Sequence, residues 1–292
     1  MVFEMKPILV HCHIYYPQMW PELKECIHNI EPYPFKLFVT MVEKHPDIWD
    51  DILIDFPNAH VEIVENRGYD IGPFVHIINQ VNLDNYSYIV KLHTKRDIDI
   101  NKPLFRNMSG SKWRNALLSF IKTTEAFNQY LNVFEKNPNI GMQAHHTVIV
   151  HHDFLDKKAK KRMKQYLIEK NLPNIKYSFV AGTMFIARAS VFRDIQNLHL
   201  TFSDFPDSKG EHKTQLAHVM ERLFGYFVYK NSLVVRDGLL KPEIEQKYHK
   251  KECIKMKFIY PITRFFCQKK ITKSGTLAIK ICKIPVFRRR IK

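Results

Sequence analysis

The sequence predicts an α/β fold with a mostly parallel sheet and helices on both faces. Two observations predict it: short apolar runs alternate along the chain with segments of helical period, and no internal repeat interrupts that order. The chain has 292 residues, of which 45% are hydrophobic and 25% charged. This length and composition suit one large domain with a real core, and they exclude a wholly disordered chain.

The individual elements follow from these patterns. The predicted strands are apolar runs at 6–14, 35–42, 60–65, 86–92, 140–143 and 178–187. The predicted helices cover 16–30, 73–81, 113–134, 157–170, which is very basic, and 214–225, which we expect to end at Gly225. In this last helix the polar residues His218, Glu221 and Arg222 share the face opposite the apolar one.

The formal net charge of +16 is concentrated at one end of the chain. Residues 1–240 carry 29 basic and 26 acidic side chains, whereas residues 241–292 carry 16 basic and 3 acidic ones. We therefore expect a folded domain over 1–240 and a basic amphipathic tail over 241–292. The tail interleaves its charges with Phe and Ile, a mixture suited to an anionic membrane surface, and a solvated appendage is the alternative.

The sequence also bears on the compartment. No run of 18 apolar residues occurs, and the N-terminus has Glu4 where a signal peptide would be basic. The five cysteines are scattered and include no CxxC. We expect a cytoplasmic protein, peripheral on the inner face of the cell membrane. Three histidine pairs, His11/His13, His145/His146 and His151/His152, lack zinc-site spacing, so we expect core or surface histidines and no metal site there.

Polar side chains follow three of the predicted strands. They are His13 at the end of the first strand, Asn66, Arg67, Gly68 and Asp70 after the third, and His93 and Lys95 after the fourth. Because the carboxyl ends of parallel strands share one edge of a sheet, these residues form a candidate donor-binding site. Asp70 would accept a ribose or sugar hydroxyl and Arg67 would contact phosphate, while His93 and Lys95 would neutralise a leaving diphosphate. The alternative is an ordinary turn in which Asp70 caps the following helix.

Five motifs, in order, resemble the rhamnan synthesis protein F family of bacterial glycosyltransferases. They are NRGYDIGPF (66–74), YIVKLHTKR (88–96), Trp113-Arg114, FVAGTMFIAR (179–188) and LAHVMERLFGY (216–226). The resemblance covers roughly residues 8–230 and implies a GT-A-like nucleotide-sugar-binding fold. It implies transfer of rhamnose or a related deoxyhexose from a dTDP-, UDP- or GDP-linked donor. The lipid-linked acceptor would be a growing cell-surface glycan, whether lipopolysaccharide O-antigen, capsule or rhamnan.

The resemblance also suggests roles for residues outside the donor site. It implies that Trp113, Arg114, His218 and Arg222 line an acceptor cleft, although a solvated polar face is the alternative for the last two. An inverting transferase needs a base within reach of the acceptor hydroxyl. Asp70 and Glu221 are the two carboxylates that we expect to be catalytic.

Many GT-A enzymes hold a divalent metal with Asp-x-Asp after the fourth strand, but here that place reads Lys91-Leu92-His93. The match Asp97-Ile98-Asp99 downstream is a weak signal, so we expect the cations Lys95, His93 and Arg67 rather than a metal ion to do this work. Two other functions remain open. A nucleic-acid-binding protein would suit a pI near 9.5, but the nearly neutral body and the lack of a recognition motif argue against any nucleic-acid partner. The second alternative function is a noncatalytic scaffold that tethers glycan-assembly partners to the membrane.

Overall fold

A computed structural model describes residues 5–96, 109–206, 216–241 and 243–244, and the backbone of three strands between 267 and 290. The chain divides into two compact units, one formed by 1–100 with 108–240 and the other by 101–107 with 241–292. Within the described parts of the chain, no helix is both long and apolar enough to cross a membrane.

The first unit is built around a seven-stranded sheet. Nine strands of this unit are described, seven in this sheet and two, β6 and β7, in a separate pair. They are β1 Ile8–Ile14, β2 Phe35–Met41, β3 His60–Ile63, β4 Tyr88–His93, β5 Ile140–Gln143, β6 Ile149–His151, β7 Ser178–Val180, β8 Phe185–Arg188 and β9 Val234–Arg236. The sheet order is β3-β2-β1-β4-β8-β5-β9, and β6 pairs with β7 apart from it. Only β8 runs antiparallel to its neighbours in this sheet. The prediction of a mostly parallel α/β sheet is confirmed.

Helices cover both faces of this sheet, as predicted. They are α1 Trp20–His28, α2 Pro46–Asp55, α3 Ile71–Gln80, α4 Gly110–Leu118, α5 Thr124–Lys136, α6 Lys157–Glu169, α7 Arg193–Gln196 and α8 Leu216–Lys230. Phe74 of α3 lies beneath the Lys91 ammonium, 5.4 Å from it. Phe134 of α5 packs on Tyr88, with ring centroids 4.8 Å apart. Since alternate residues of a strand point to opposite faces, Tyr88 and Lys91 of β4 show that α3 and α5 lie on opposite sides.

Two predicted elements are each divided in the structure. The apolar run 178–187 forms two strands, β7 and β8, because Gly182 and Thr183 both take positive φ angles, +85° and +52°, in the turn between them. The predicted helix 113–134 is likewise two helices, because the Thr123 side chain caps α5 by accepting a hydrogen bond from Ala126 N at 3.1 Å. Apolar spacing continues across both breaks, so it does not reveal them.

The prediction that the last helix ends at Gly225 is wrong, because α8 continues to Lys230. A Cβ at position 225 would lie 2.1 Å from Ser178 O and 2.6 Å from Phe179 Cα. The glycine therefore serves the close approach of α8 to β7 and does not end the helix.

The second unit contains a three-stranded antiparallel sheet within the basic region of the sequence. Its strands are β10 Cys267–Ile271, β11 Thr276–Ile281 and β12 Ile284–Arg290, in that order across the sheet. The register pairs Cys267 with Ile281 and Thr276 with Arg290. The sequence patterns did not predict these strands, and membrane association of this region stays a prediction.

Candidate active site

A tight turn between β3 and α3 positions Asp70. A Cβ on Gly68 would lie 2.8 Å from the Phe205 ring, and one on Gly72 would lie 2.1 Å from Arg67 O. Gly68 also has a φ of +74°, which glycine adopts without strain. Asp70 stands directly before α3 but makes no capping hydrogen bond, so the capping alternative is wrong. Its carboxylate points instead toward β4.

The Asp70 carboxylate is the centre of a polar cluster at the carboxyl edge of the sheet. Its Oδ2 accepts hydrogen bonds from Lys91 Nζ and from Thr183 Oγ1, each at 2.5 Å. Lys91 Nζ also donates to Thr183 Oγ1 at 3.1 Å, and His93 Nε2 lies 3.8 Å from Asp70 Oδ2. The Lys91 side chain is 0% exposed and that of Asp70 20% exposed. We call Asp70, Lys91, His93 and Thr183 the Asp70 cluster.

The electrostatics of the cluster favour an ionised Asp70. Burial alone would raise the pKa of the Asp70 carboxyl, but the charge that His93 carries in acid, the charge of Lys91 and the hydrogen bonds from Lys91 and Thr183 outweigh it, and the pKa falls well below its usual range. Burial lowers the pKa of His93 to about 4, so its imidazole is neutral at pH 7. Burial also lowers the pKa of Lys91, an effect that the Asp70 charge opposes. We therefore treat Asp70 and Lys91 as an ion pair.

His13 lies beside this cluster and is held from the neighbouring strand. It is paired with His93 in the register of β1 and β4. Its Nδ1 lies 3.0 Å from Thr40 Oγ1, and His11 Nε2 lies at the same distance from that oxygen. Burial lowers the pKa of His13 to about 3, so this ring too is neutral at pH 7. The structure thus brings His13 to the predicted site as a buried, hydrogen-bonded side chain.

The turn between β7 and β8 links helix α8 to the cluster. Gly182 N donates to Glu221 Oε1 at 2.9 Å, and Gly182 O lies 2.9 Å from His93 Nε2. The next residue, Thr183, holds a φ of +52°, which is uncommon and strained for a β-branched residue. Such strain persists where the surroundings fix it, and the bonds to Asp70 and Lys91 do so here. Glu221 is therefore positioned at the same edge of the sheet as Asp70.

The remaining predicted donor-binding residues also lie at this edge. Arg67 donates from Nη1 to Phe205 O at 3.1 Å, its Nε lies 3.2 Å from Glu65 Oε2, and its side chain is 39% exposed. Asn66 is half-buried in the same turn. Lys95 is half-buried just past β4, where its charge contributes to lowering the pKa of both Lys91 and His93.

Three of the four predicted acceptor-cleft residues contact one of the two turns described above or the strand β7 beside them. Trp113 packs beneath Gly182, since a Cβ there would lie 3.2 Å from Trp113 Cζ2. His218 stacks on Tyr69 with ring centroids 5.9 Å apart. Arg222 donates from Nη1 to His218 O and lies over the Phe179 ring.

The fourth acceptor-cleft residue, Arg114, is engaged elsewhere. Its Nε lies 2.7 Å from Glu22 Oε2, so its guanidinium pairs with helix α1. The pairing ties α4 to α1. An acceptor role for Arg114 stays a prediction.

Two members of the cluster, Lys91 and Thr183, were not predicted from the sequence. A lysine inside the apolar run YIVKLH, two residues before His93 and so on the same face of the strand, is a signal of a buried ion pair. Gly182 inside the apolar run 178–187 is a signal of a turn that exposes its neighbour.

Metal-ligating side chains gather at two other places in the described residues. They are His145, His146 and Asp237, and His151, His152 and Asp153, in each of which the ligand atoms lie within 4.8 Å of one another. In the first, Asp237 already accepts from His146 N at 2.9 Å and from the Tyr130 hydroxyl at 3.2 Å. Neither group shares a residue with the Asp70 cluster. The predicted Asp97 and Asp99 lie outside the described residues.

The fold and the cluster define a mostly parallel α/β protein with a buried ion pair at the carboxyl edge of its sheet. The chain belongs to the rhamnan synthesis protein F (RgpF) family, whose family model matches residues 1–233. The resemblance read from the five motifs is thereby confirmed.

The curated relatives that this chain matches are much longer than the chain. The uncharacterized protein WxcX of two strains of Xanthomonas campestris pv. campestris is 31% identical over 175 residues, which are 58% of this chain and 24% of WxcX. The chain thus spans about a quarter of the length of the curated relatives it matches. A crystal structure of S. aureus TarS 1–349 aligns with 78% of this chain and 57% of that chain, at 11% identity and a TM-score of 0.42. That likeness is too distant to carry an argument about the site.

Proposed function

We propose that residues 1–240 form a glycosyltransferase domain that moves a sugar from a nucleotide-diphosphate donor to a growing cell-surface glycan. Membership of the rhamnan synthesis protein F family supports the glycan context. The main support for an active site at this position is the Asp70 cluster, which lies at the edge where ligands commonly bind in parallel α/β sheets. The donor sugar in this proposal is rhamnose or a related deoxyhexose linked to dTDP, UDP or GDP.

Asp70 holds the donor in this proposal. Lys91 and Thr183 both bind Oδ2 and so restrain the carboxylate, which is one-fifth exposed and would accept a ribose or sugar hydroxyl at Oδ1. Lys95 and Arg67, at the same edge, would stabilise the charge that develops on the diphosphate. Asn66, Gly68, His13 and His93 would shape the pocket around the donor.

Glu221 is the base in this proposal. A general base works best with a pKa near the working pH, and the strongly lowered pKa of Asp70 makes that carboxylate a poor proton acceptor. Glu221 would take the proton of the acceptor hydroxyl while the hydroxyl oxygen attacks the anomeric carbon of the donor sugar. The bond from that carbon to the donor phosphate oxygen breaks, and its electron pair leaves on the nucleoside diphosphate. A single displacement of this kind inverts the anomeric configuration.

The proposed reaction uses protein cations in place of a divalent metal. The Lys91 ammonium lies 2.5 Å from Asp70 Oδ2, and it would repel a divalent cation bound to the same carboxylate. The residues of the cluster therefore do not fit a divalent ion. EDTA should leave the activity unchanged, and loss of activity in EDTA with recovery in manganese would contradict this part of the proposal.

The acceptor and the cellular location are further parts of the proposal. A lipid-linked glycan of the O-antigen, capsule or rhamnan type would meet the enzyme at the inner face of the membrane. The basic tail, residues 241–292, would hold it there through anionic lipids, since each Lys or Arg near such a surface contributes about 1 kcal/mol. Deleting residues 250–292 should leave donor hydrolysis intact and weaken sedimentation with anionic liposomes. Equal sedimentation of both forms would contradict the role of the tail.

Nucleoside-diphosphate release from a panel of nucleotide sugars tests the function itself. We expect release from one deoxyhexose donor, accelerated by a membrane fraction that supplies acceptor. The Asp70→Asn variant should release roughly a hundredfold less, the scale of losing a positioned polar group in the transition state. Absence of release from every donor, with the folded protein confirmed by circular dichroism, would favour the noncatalytic scaffold.

A further inference from the structure

Helix α6 presents a basic stripe that the proposed reaction does not use. Lys157, Lys161 and Lys164 are exposed, and Ile168 on the same helix is 69% exposed. These four positions are spaced by four, three and four residues, so they follow one line along the outer side of the helix. We call them the α6 stripe.

The opposite side of α6 anchors the helix to the body of the protein. Ala159, Met163, Tyr166 and Leu167 are buried there, and the Asp156 side chain caps the first turn by accepting from Ala159 N at 2.8 Å. The orientation of the stripe is therefore fixed by packing. Its outward direction does not depend on any flexible segment.

The lysines of the stripe are not neutralised by the ion pairs of the helix. Arg162 lies 3.8 Å from Glu169 Oε1, and Lys160 donates to Asp153 O at 2.7 Å, but these residues stand beside the line of the stripe. Among the described residues, no ion pair or hydrogen bond of the Lys157, Lys161 or Lys164 side chains occurs.

Charge is segregated onto this helix. Residues 1–240 carry 29 basic and 26 acidic side chains, and α6 alone supplies six of the basic ones and a single acidic one, Glu169. Without α6 the same residues would be slightly acidic. A cationic patch on an otherwise neutral body fits an anionic partner.

We propose that the α6 stripe docks on an anionic lipid surface. The lysines match the headgroup charge, and Ile168, exposed in line with them, matches the apolar layer just below the headgroups. A free polyanion would explain the lysines but not the isoleucine. The stripe belongs to the first unit, so this inference depends neither on the tail nor on the transfer reaction.

Lysine acetylation of the intact chain, followed by mass spectrometry, tests the docking directly. Vesicles of phosphatidylcholine with phosphatidylglycerol should protect Lys157, Lys161 and Lys164 from the reagent. Exposed lysines elsewhere in the unit, Lys36 and Lys112, should react at the same rate with and without vesicles. Equal reaction of all five lysines would overturn the proposal, as would equal protection by vesicles of phosphatidylcholine alone.

Charge reversal provides the second arm. The triple variant Lys157→Glu, Lys161→Glu, Lys164→Glu removes three cations from the interface, and at about 1 kcal/mol each its lipid partition should fall by about a hundredfold or more, whatever the tail contributes. The matched control reverses three exposed lysines off the stripe, Lys36, Lys112 and Lys122. Equal partition of the two triple variants would overturn the proposal. Unchanged nucleoside-diphosphate release in the stripe variant would keep this outcome separate from that of the proposed function.

Discussion

Lys91 and Asp70 form an ion pair in which the ammonium is wholly buried while the carboxylate keeps 20% of its surface exposed. The pair joins the interior of β4 to the turn before α3. Because the cation is inaccessible and the anion is partly exposed, Lys91 can hold Asp70 in place without touching a ligand. Lys91 is thus a positioning residue in the proposed site.

Removing the buried cation should destabilise the fold. Lys91→Met leaves the Asp70 carboxylate without its partner, and breaking a buried pair costs about 3–5 kcal/mol, with the lower end expected here because Asp70 is partly exposed. Urea unfolding measures the effect, and adding Asp70→Asn should recover part of it. The surface pair of Lys24 with Asp51 is the control, for which Lys24→Met should change stability by about 1 kcal/mol or less. Equal losses in the two single variants would contradict the account.

The Thr183 hydroxyl should matter for activity through Asp70. Thr183→Ser keeps the hydroxyl that donates to Asp70 Oδ2, whereas Thr183→Val removes it at nearly constant shape. We expect donor turnover near that of the unmodified protein for the serine variant and at least about tenfold lower for the valine variant, the scale of one lost hydrogen bond to a charged group. If both variants lose activity equally, the threonine acts through its backbone geometry instead.

The sequence predicts the layout of the fold and the edge at which the site lies. Parallel pairing of β1, β2, β3 and β4 follows from their apolar runs, and it brings the residues after those strands together. The Gly182–Thr183 turn was not predicted, because apolar spacing continues through positive φ angles. The Asp70 bonds were not predicted either, because 113 residues separate Asp70 from Thr183 and only the tertiary fold joins them.

Acid should destabilise the protein from near neutrality because of its buried histidines. Folding lowers the pKa of His13 to about 3 and of His93 to about 4, whereas the unfolded chain binds these protons below about pH 6.5. Stability is therefore fully present above pH 6.5 and falls as the pH drops toward the folded pKa values, by about 1.4 kcal/mol per pH unit for each histidine.

Urea unfolding as a function of pH measures this effect. His93→Gln should lower the slope between about pH 6.5 and pH 5 by the share of one histidine. Equal slopes for the His93 variant and the unmodified protein would contradict the assignment.

Separating α8 from β7 should disturb both stability and activity. Gly225→Ala places a Cβ 2.1 Å from Ser178 O, and overpacking of this kind costs about 1–3 kcal/mol. The shift of α8 would also move Glu221 away from Gly182 N. We expect a lower Tm together with lower turnover, measured by calorimetry and product release. An unchanged Tm would show that the helix and strand have more room than the geometry indicates.

The division of labour between Glu221 and Asp70 is the central claim, and steady-state kinetics with the preferred donor tests it most directly. Glu221→Gln should lower kcat roughly a hundredfold or more with little change in donor KM. The substitution removes the base, but its amide oxygen can still accept the hydrogen bond from Gly182 N. Glu169→Gln on α6 is the control and should match the unmodified enzyme. A kcat of the Glu221 variant close to that of this control would contradict the account.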